Sequence, residues 1–482
     1  MTVALWLSSE AETATSGRAT HDWVATGVSI DSRTLEPGDL FVAIEGPNFD
    51  GHKFVGDALT KGAVAAVVSR VPNALDSETS LLIVEDTLKA LEDLAVASRA
   101  RSTAKIIAVT GSVGKTGTKE VLKEVLSAQG ETYATEGSLN NHWGLPLSLA
   151  RLPRTAKFGV FELGMNHPGE IEPLVKLARP HVALITTIEA VHSAHFDSIE
   201  DIADAKAEIF LGLEPGGVAI LNRDNSQFAH LAARAKSMGV NNIISFGADA
   251  AADFRALNFE ADADSSRVTA EFADETFEYR ISIPGQHWVT NSLGVLGGVA
   301  AAGGNIVVAA TVLKNLSAPK GRGRTCKVQL PNGEFTLIDD SYNASPVSVA
   351  AALSVLGRVG VGANGRRIAV LGDMLELGAD SVQRHQALAL PLSENKIDLV
   401  FTAGTDMASL ADVLPDEMQG GHAGNSELLV PVVRSAVRAG DAVSVKGSAG
   451  SKMNAVVQAL LALDANMDNT NVGDAPLVVN GG

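Results

Sequence analysis

KIIAVTGSVGKTGTKEVLKEVLSAQG, residues 105–130, changes period in its middle. KIIAVTG is an apolar run of strand length. Past the glycines, apolar residues stand at 121, 122, 125 and 126, one face of a helix, and Gly130 offers a stop. A glycine loop between a buried strand and a helix is a cradle for phosphate, because backbone N–H groups and the helix N-terminus point at the anion. Gly111 and Gly114 let the backbone come close, and Ser112, Val113 and Gly117 complete the loop. Lys115 is expected to reach the β- and γ-phosphates of a nucleotide, and Thr116 to ligate Mg²⁺. The spacing is the short G-x-x-G-K-T, since Val109 stands where the longer pattern has its first glycine. The competing reading is a tight turn with an exposed lysine.

Beyond this junction the chain keeps alternating. FGVFELG, HVALITTI, GVAILN and NIISFG read as buried strands between helices, which predicts a parallel, doubly wound α/β sheet. Residues 254–283 alternate polar and apolar over short runs, as antiparallel strands do. Upstream, DLFVAIEG and AVAAVVS frame the helical GHKFVGDALTKGA in a small α/β unit. Downstream, the Gly/Pro/basic SAPKGRGR (317–324) reads as a connector. Four more strands follow it, FTLIDD, RRIAVLG, IDLVFTAG and AVSVKG, in a second Rossmann-like domain. The expected domains are 1–103, 104–318 and 319–482, with an Asn/Asp/Gly-rich tail from 465 expected to be disordered.

At 482 residues the chain suggests about three domains at ~150 residues each. Net charge is 38 − 56 = −18. Such a chain does not attract nucleic acid or anionic membrane non-specifically, and an anionic substrate would need local cations. Cys326 is the single cysteine, so no internal disulfide forms. MTVALWLSSEAE has no basic region or long apolar core of a signal peptide, and no apolar run approaches the ~20 residues of a membrane span. A cytoplasmic monomer is expected.

Ser198 to Leu213 has helical period, with Ile199, Ile202, Ile209 and Leu213 on one face and Ser198 and Asp201 as a capping start. The seventh position of that apolar stripe is Lys206. From periodicity alone, its stem is buried and its ammonium snorkels to water or pairs with Glu162 or another acid.

The short loop TGSVGKT resembles that of the Mur ligases and their folyl-polyglutamate relatives. DSRTLEPGDLFVAIEGPNFDGHKFV (31–55), EGSLNNHWGLPLSLARL, FELGMNHPGEI, GQHWVTNSLG, LIDDSYNASP, VLGDMLELG and VKGSAGSKM extend the resemblance from about residue 24 to 463. They are similar to the Mur ligase that joins D-alanyl-D-alanine to UDP-N-acetylmuramoyl-tripeptide. The Asp-Asn-Pro-Arg motif of the member that adds the third amino acid does not occur here. The resemblance implies three domains holding UDP-sugar, ATP with Mg²⁺, and the amino substrate, with a hinge at 317–324. It implies an acyl phosphate, made from a carboxylate and ATP and attacked by an amine. Anion meets anion in the first step, so the site needs cations and alignment.

Residue by residue, the resemblance implies that Glu162, His192 and Lys206 hold Mg²⁺ with Thr116, His195 lying close by in sequence. Lys206 matches the lysine that this family carbamylates. Burial disfavours its ammonium, a neutral amine adds CO₂, and the carbamate is an oxygen donor. His287 and Asn291 are implied at the adenine, with Trp288 free to stack or to pack. Arg324, or Arg322 in the alternative register of GRGR, is implied at phosphate. Asp340 is implied at the ribose, its other reading being a cap for the helix after Pro346. Ser32, Arg33, Asp50, Gly51 and His52 are implied at UDP, and Asn140 and Asn141 at the muramoyl-peptide. Asn343, Lys446 and Ser448 are implied at the dipeptide or tripeptide. Two rivals stay open: another amide ligase of the superfamily, and a P-loop nucleotide switch that makes no bond.

Overall fold

The computed structural model describes residues 3–46, 49–73, 75–190, 196–262 and 264–465. The chain divides into two compact units. The first covers residues 1–261, 265–282 and 286–316, and the second holds the chain from Ser317 on. The boundary expected at 103/104 lies inside the first unit.

The first unit begins with a five-stranded sheet. Its strands are β1 (Arg18–Ala19), β2 (Gly27–Ser29), β3 (Asp39–Val42), β4 (Ala65–Val68) and β5 (Leu81–Ile83), in the order β1-β5-β4-β3-β2. All pairs are parallel except β1 with β5. Helix α1 (Val55–Thr60) follows a 3₁₀ turn at Gly51–Phe54, and α2 (Thr87–Arg101) starts at Asp86, whose carboxylate accepts from the N–H groups of Leu88 and Lys89. Leu147 and Ala150, from further along the chain, lie in the same core as Leu40, Val42, Val67 and Leu91. That shared packing is why this segment does not separate as a unit of its own.

The larger sheet has nine strands: β6 (Lys105–Thr110), β7 (Thr132–Ala134), β8 (Phe158–Glu162), β9 (Val182–Ile185), β10 (Val218–Asn222), β11 (Asn242–Gly247), β12 (Phe254–Ala261), β13 (Ser266–Phe272) and β14 (Glu275–Ile281). Their order is β7-β8-β6-β9-β10-β11-β12-β13-β14. The strands from β7 to β12 are parallel, and β13 and β14 extend the edge antiparallel. β6, β8 and β9 are buried almost throughout, as strands covered on both faces must be. The chain runs outward from β6 to one side and then to the other. A crevice therefore opens at the carboxyl ends of β6, β8 and β9, where doubly wound sheets place ligands.

Helix α3 spans Lys115–Ser127, so it starts inside the glycine loop. It ends before Gly130, on Ala128 in right-handed conformation, so the expected glycine stop is not used. Three further helices are α4 (Gly144–Ala150), α5 (Ile171–Ala178) and α6 (Ile199–Ala207). The helix expected through Leu213 tightens to a 3₁₀ turn at Glu208–Gly212. The Ala/Gly-rich helix α7 spans Gln286–Ala301 and carries Asn291 in its second turn.

The second unit carries six strands: β15 (Arg324–Leu330), β16 (Gly333–Asp340), β17 (Arg367–Gly372), β18 (Leu399–Ala403), β19 (Gln419–Ala423) and β20 (Ala442–Lys446). Their order is β15-β16-β20-β17-β18-β19, parallel except for the β15–β16 hairpin. β15 and β19 are the two edges, and both are additions to the four expected strands. Among the described residues, no helix is long and apolar enough to cross a membrane.

Candidate functional site

The loop after β6 turns on two glycines. Gly111 has φ +145° and Gly114 φ +87°, both in the range that favours glycine. A Cβ on Gly111 would sit 2.0 Å from the Thr186 hydroxyl. Ser112 N–H donates to the Thr187 carbonyl at 2.8 Å, which ties the loop to the end of β9. Lys115 folds back along the loop, its Nζ donating to the carbonyls of Gly111 (2.7 Å) and Ser112 (3.2 Å). This is a formed cradle, and the exposed-turn reading is set aside.

Helix α7 closes one side of the cradle. A Cβ on Gly114 would lie 2.9 Å from Asn291 Nδ2, so Asn291 stands against the loop itself. One on Gly117 would lie 2.7 Å from the Trp288 ring, which is buried. Trp288 therefore packs on α3, and Gly117 is the residue that admits it. His287, next to it, is exposed, with its ring 5.8 Å from that of Trp288.

Glu162 ends β8 and is 2 % exposed. Its Oε1 accepts from the Asn140 side-chain amide at 2.8 Å, while Oε2 is buried without a hydrogen-bond partner. Buried carboxylate oxygens are rarely left so. The orphaned oxygen is an observation that fits a cation. Gly164 makes room for the Asn140 side chain, since a Cβ there would meet it at 2.8 Å. Asn140 is thus seated on Glu162, whereas Asn141 caps α4, its Oδ1 accepting from the N–H groups of Trp143 and Gly144.

Lys206 lies on α6 and is 1 % exposed. Ser198 starts that helix by accepting from Asp201 N–H. Ile202, Ala203 and Ala205 pack into the core with Ile171, Leu163 and Ile188. Burial, and then the positive charge of Lys115, hold the Lys206 amine well below the ordinary lysine range. Among the described residues no carboxylate is within ion-pair distance of it, so the expected pairing with Glu162 is not formed. His192 and His195 lie outside the described residues.

The N-terminal candidates are engaged locally. Arg33 is paired with Asp31 at 2.7 Å, and the buried Ser32 offers its carbonyl to Lys61 Nζ at 2.9 Å. Buried His52 accepts from Ser69 N–H at Nε2 (3.0 Å), which leaves Nδ1 to donate to Asp50 (2.8 Å). Gly51 presses against Ile44, whose carbonyl would be 2.6 Å from a Cβ there.

In the second unit, Lys446 ends β20 and donates to Asp340 Oδ2 (2.7 Å) and the Asn343 carbonyl (3.0 Å). Burial pushes the Asp340 carboxyl up, against the pull of Lys446 and Arg322. The helix α8 (Pro346–Leu356) is capped by Ser345, so the reading of Asp340 as its cap is overturned. Arg322 lies 4.2 Å from the Tyr342 ring, and Arg324 is exposed at the start of β15, in register with Asp339. Ser448 is buried, donates to Ala344 O and accepts from Leu375 N–H.

Sequence reasoning missed Lys119. It is fully buried on α3 and donates to Thr135 O at 2.6 Å, beside Glu120. It stands three and seven residues before Leu122 and Leu126, on their face of the helix, a signal of the same kind as that of Lys206.

Three family models match the chain. The Mur ligase family catalytic domain covers residues 24–105, the Mur ligase middle domain 109–299, and the Mur ligase glutamate ligase domain 323–449. The UDP-N-acetylmuramoyl-tripeptide–D-alanyl-D-alanine ligase of Escherichia coli is 35 % identical over 91 % of this chain and 94 % of its own. A crystal structure of MurF from Acinetobacter baumannii superposes with a TM-score of 0.82 at 31 % identity, covering 95 % of this chain and 99 % of that one. MurF ligase from Thermotoga maritima, in complex with ADP, gives 0.74 at 26 % identity, over 91 % and 97 %. With a cradle, an orphaned carboxylate and a buried lysine at one end of one sheet, and these relatives along nearly its whole length, the chain belongs to the Mur ligase family.

Proposed function

We propose that the protein is an ATP-dependent carbon–nitrogen ligase that joins D-alanyl-D-alanine to UDP-N-acetylmuramoyl-tripeptide, releasing ADP and phosphate, in the synthesis of peptidoglycan precursors. The observation that carries the reading is the unbonded Glu162 oxygen at the strand end paired with Val109, just before the loop that holds Lys115, with the buried Lys206 amine feeling the Lys115 charge. It acts as a cytoplasmic monomer in three domains, 1–103, 104–318 and 319–482.

The chain's residues are suited to each step. The tripeptide carboxylate attacks the γ-phosphorus of ATP; a P–O bond forms and the β–γ bridge breaks, giving an acyl phosphate and ADP. Loop N–H groups and Lys115 hold the phosphates and offset the gathering negative charge. The free amine of D-alanyl-D-alanine then attacks the acyl carbon, loses a proton to solvent, and phosphate departs. The Glu162 oxygen fits a hard cation, and Thr116, Glu162, His192 and a carboxylated Lys206 would hold Mg²⁺. When bound, Mg²⁺ neutralises charge on the transferring phosphate. The neutral Lys206 amine adds CO₂ and sheds one proton, which turns a nitrogen with no acid partner into an anionic oxygen donor. Asn291 and His287 flank the nucleotide, and Asp340, Arg322 or Arg324, Asn343, Lys446 and Ser448 serve ribose, phosphate and amino substrate. Ser32, Arg33, Asp50, Gly51 and His52 serve UDP, and Asn141 the peptide.

Purified protein with ATP, Mg²⁺ and UDP-N-acetylmuramoyl-tripeptide should release phosphate only after D-alanyl-D-alanine is added. Release without the dipeptide, or none with it, contradicts the reading.

A further inference from the structure

Glu208 stands two residues after Lys206, where α6 passes into the 3₁₀ turn Glu208–Gly212. At roughly 100° per residue its side chain leaves the helix on the side away from Lys206. It does not end in solvent. Oε1 accepts from Gly169 N–H at 2.6 Å, and Oε2 from Ile171 and Glu172 N–H, both at 3.1 Å. These amides open α5, whose own N-cap, Glu170, supplies no side-chain cap. Glu170 instead turns its carboxylate back to Asn166 and His167.

The segment capped in this way is the one that descends from Glu162. Residues 163–170 connect the end of β8 to α5, and Ile171 belongs to the same core as Leu163 and Ile202. The 3₁₀ turn is also pressed on α5 directly, since a Cβ on Gly212 would lie 2.3 Å from the Val175 carbonyl. Three charge-assisted bonds therefore join the backbone two residues from Lys206 to the backbone that carries Glu162.

We infer that Glu208 is a positioning residue: by capping α5 from the end of the Lys206 helix it fixes the separation of Lys206 and Glu162, and with it the cation site between them. This rests on the cation site proposed above. Outer partners of this kind hold ligands at the distance a metal requires, and their loss lowers metal affinity about 10- to 100-fold.

Glu208→Ala and Glu208→Gln test this in the full-length protein. The glutamine carbonyl can keep the Ile171 and Glu172 bonds while its NH₂ cannot accept from Gly169. Binding of Mn²⁺ in the presence of ADP, followed by electron paramagnetic resonance, should weaken tenfold or more in Glu208→Ala and by less in Glu208→Gln. The Mg²⁺ concentration for half-maximal phosphate release should rise in the same order. Wild-type Mn²⁺ binding in Glu208→Ala overturns the inference, even if the thermal midpoint falls. If the alanine variant does not fold, the glutamine variant decides, with wild-type Mn²⁺ binding again the contrary result. Should the wild type fail to use the tripeptide and dipeptide, the ligase reading falls, while the Mn²⁺ comparison still reads Glu208.

Discussion

Lys206 and Lys446 are both taken out of water by folding, one in each compact unit, at 1 % and 4 % exposure. Lys446 ends an apolar strand and meets the Asp340 carboxylate at 2.7 Å. Lys206 sits on an apolar helix face, and the charge that bears on it is another cation, Lys115. In sequence the two are alike in being lysines set against a hydrophobic pattern, Lys206 within an apolar stripe and Lys446 at the end of an apolar strand. The partner separates them. A buried lysine with an acid is a structural pin, whereas a buried amine beside a second cation is most stable neutral, and a neutral amine is a nucleophile.

The largest effect expected from breaking this contrast is in catalysis. Lys206→Met should lower the rate of phosphate release on the order of 10²- to 10³-fold, the scale of removing one group that stabilises transition-state charge. Lys206→Ala should regain part of it with a short carboxylic acid supplied in solution. Full activity in the unrescued variant removes Lys206 from the mechanism.

The same substitution should make the ligand-free, CO₂-free protein more stable. The folded pKa of Lys206 lies below the ordinary 10.5, so between the two values the unfolded chain holds the extra proton. Wild-type stability therefore rises with pH in that window, by about 1.4 kcal/mol per unit. The advantage of Lys206→Met should shrink as pH approaches 10.5 in urea titrations. An advantage that grows with pH contradicts the assigned environment.

Lys446→Met should act in the opposite sense. It strands a carboxylate that burial already disfavours, and should cost about 3 kcal/mol. Adding Asp340→Leu should recover much of that loss. A neutral single variant would mean that the pair is not a pin.

Asn140→Ala should cost about 10- to 100-fold in apparent Mg²⁺ affinity, because it frees Glu162 Oε1 and leaves the carboxylate to rotate. An unchanged Mg²⁺ titration with a raised tripeptide KM would return Asn140 to the substrate. The smallest change in stability belongs to Arg33→Ala, under about 1 kcal/mol for an exposed pair with Asp31. Its readout is the KM for the UDP-linked substrate, expected to rise. A constant KM takes Arg33 out of that contact.

The strand, glycine loop and helix around residues 105–127 were legible because period and composition both change there. Glu162 could be read from its strand end, and Lys206 from its breach of an apolar stripe. Other features left no such trace. β15 carries Lys327 and Gln329 and β19 is Gln-Gly-Gly-His-Ala, so these edge strands lack the apolar run that marks their neighbours. The Asn140–Glu162 bond joins a loop to a strand end 22 residues on, and Glu208 caps a helix 36 to 39 residues before it. No local pattern encodes such pairings. At His52 the neighbour Asp50 was legible in sequence, whereas the bond from Ser69 N–H to the other ring nitrogen, 17 residues on, was not.

The central claim is that Lys206 is a neutral amine that takes up CO₂. Carbon-13 nuclear magnetic resonance of the protein equilibrated with labelled bicarbonate addresses it directly. A carbamate resonance in the wild type that is lost in Lys206→Met is the result predicted. The same spectrum from both proteins, with or without that resonance, would contradict it.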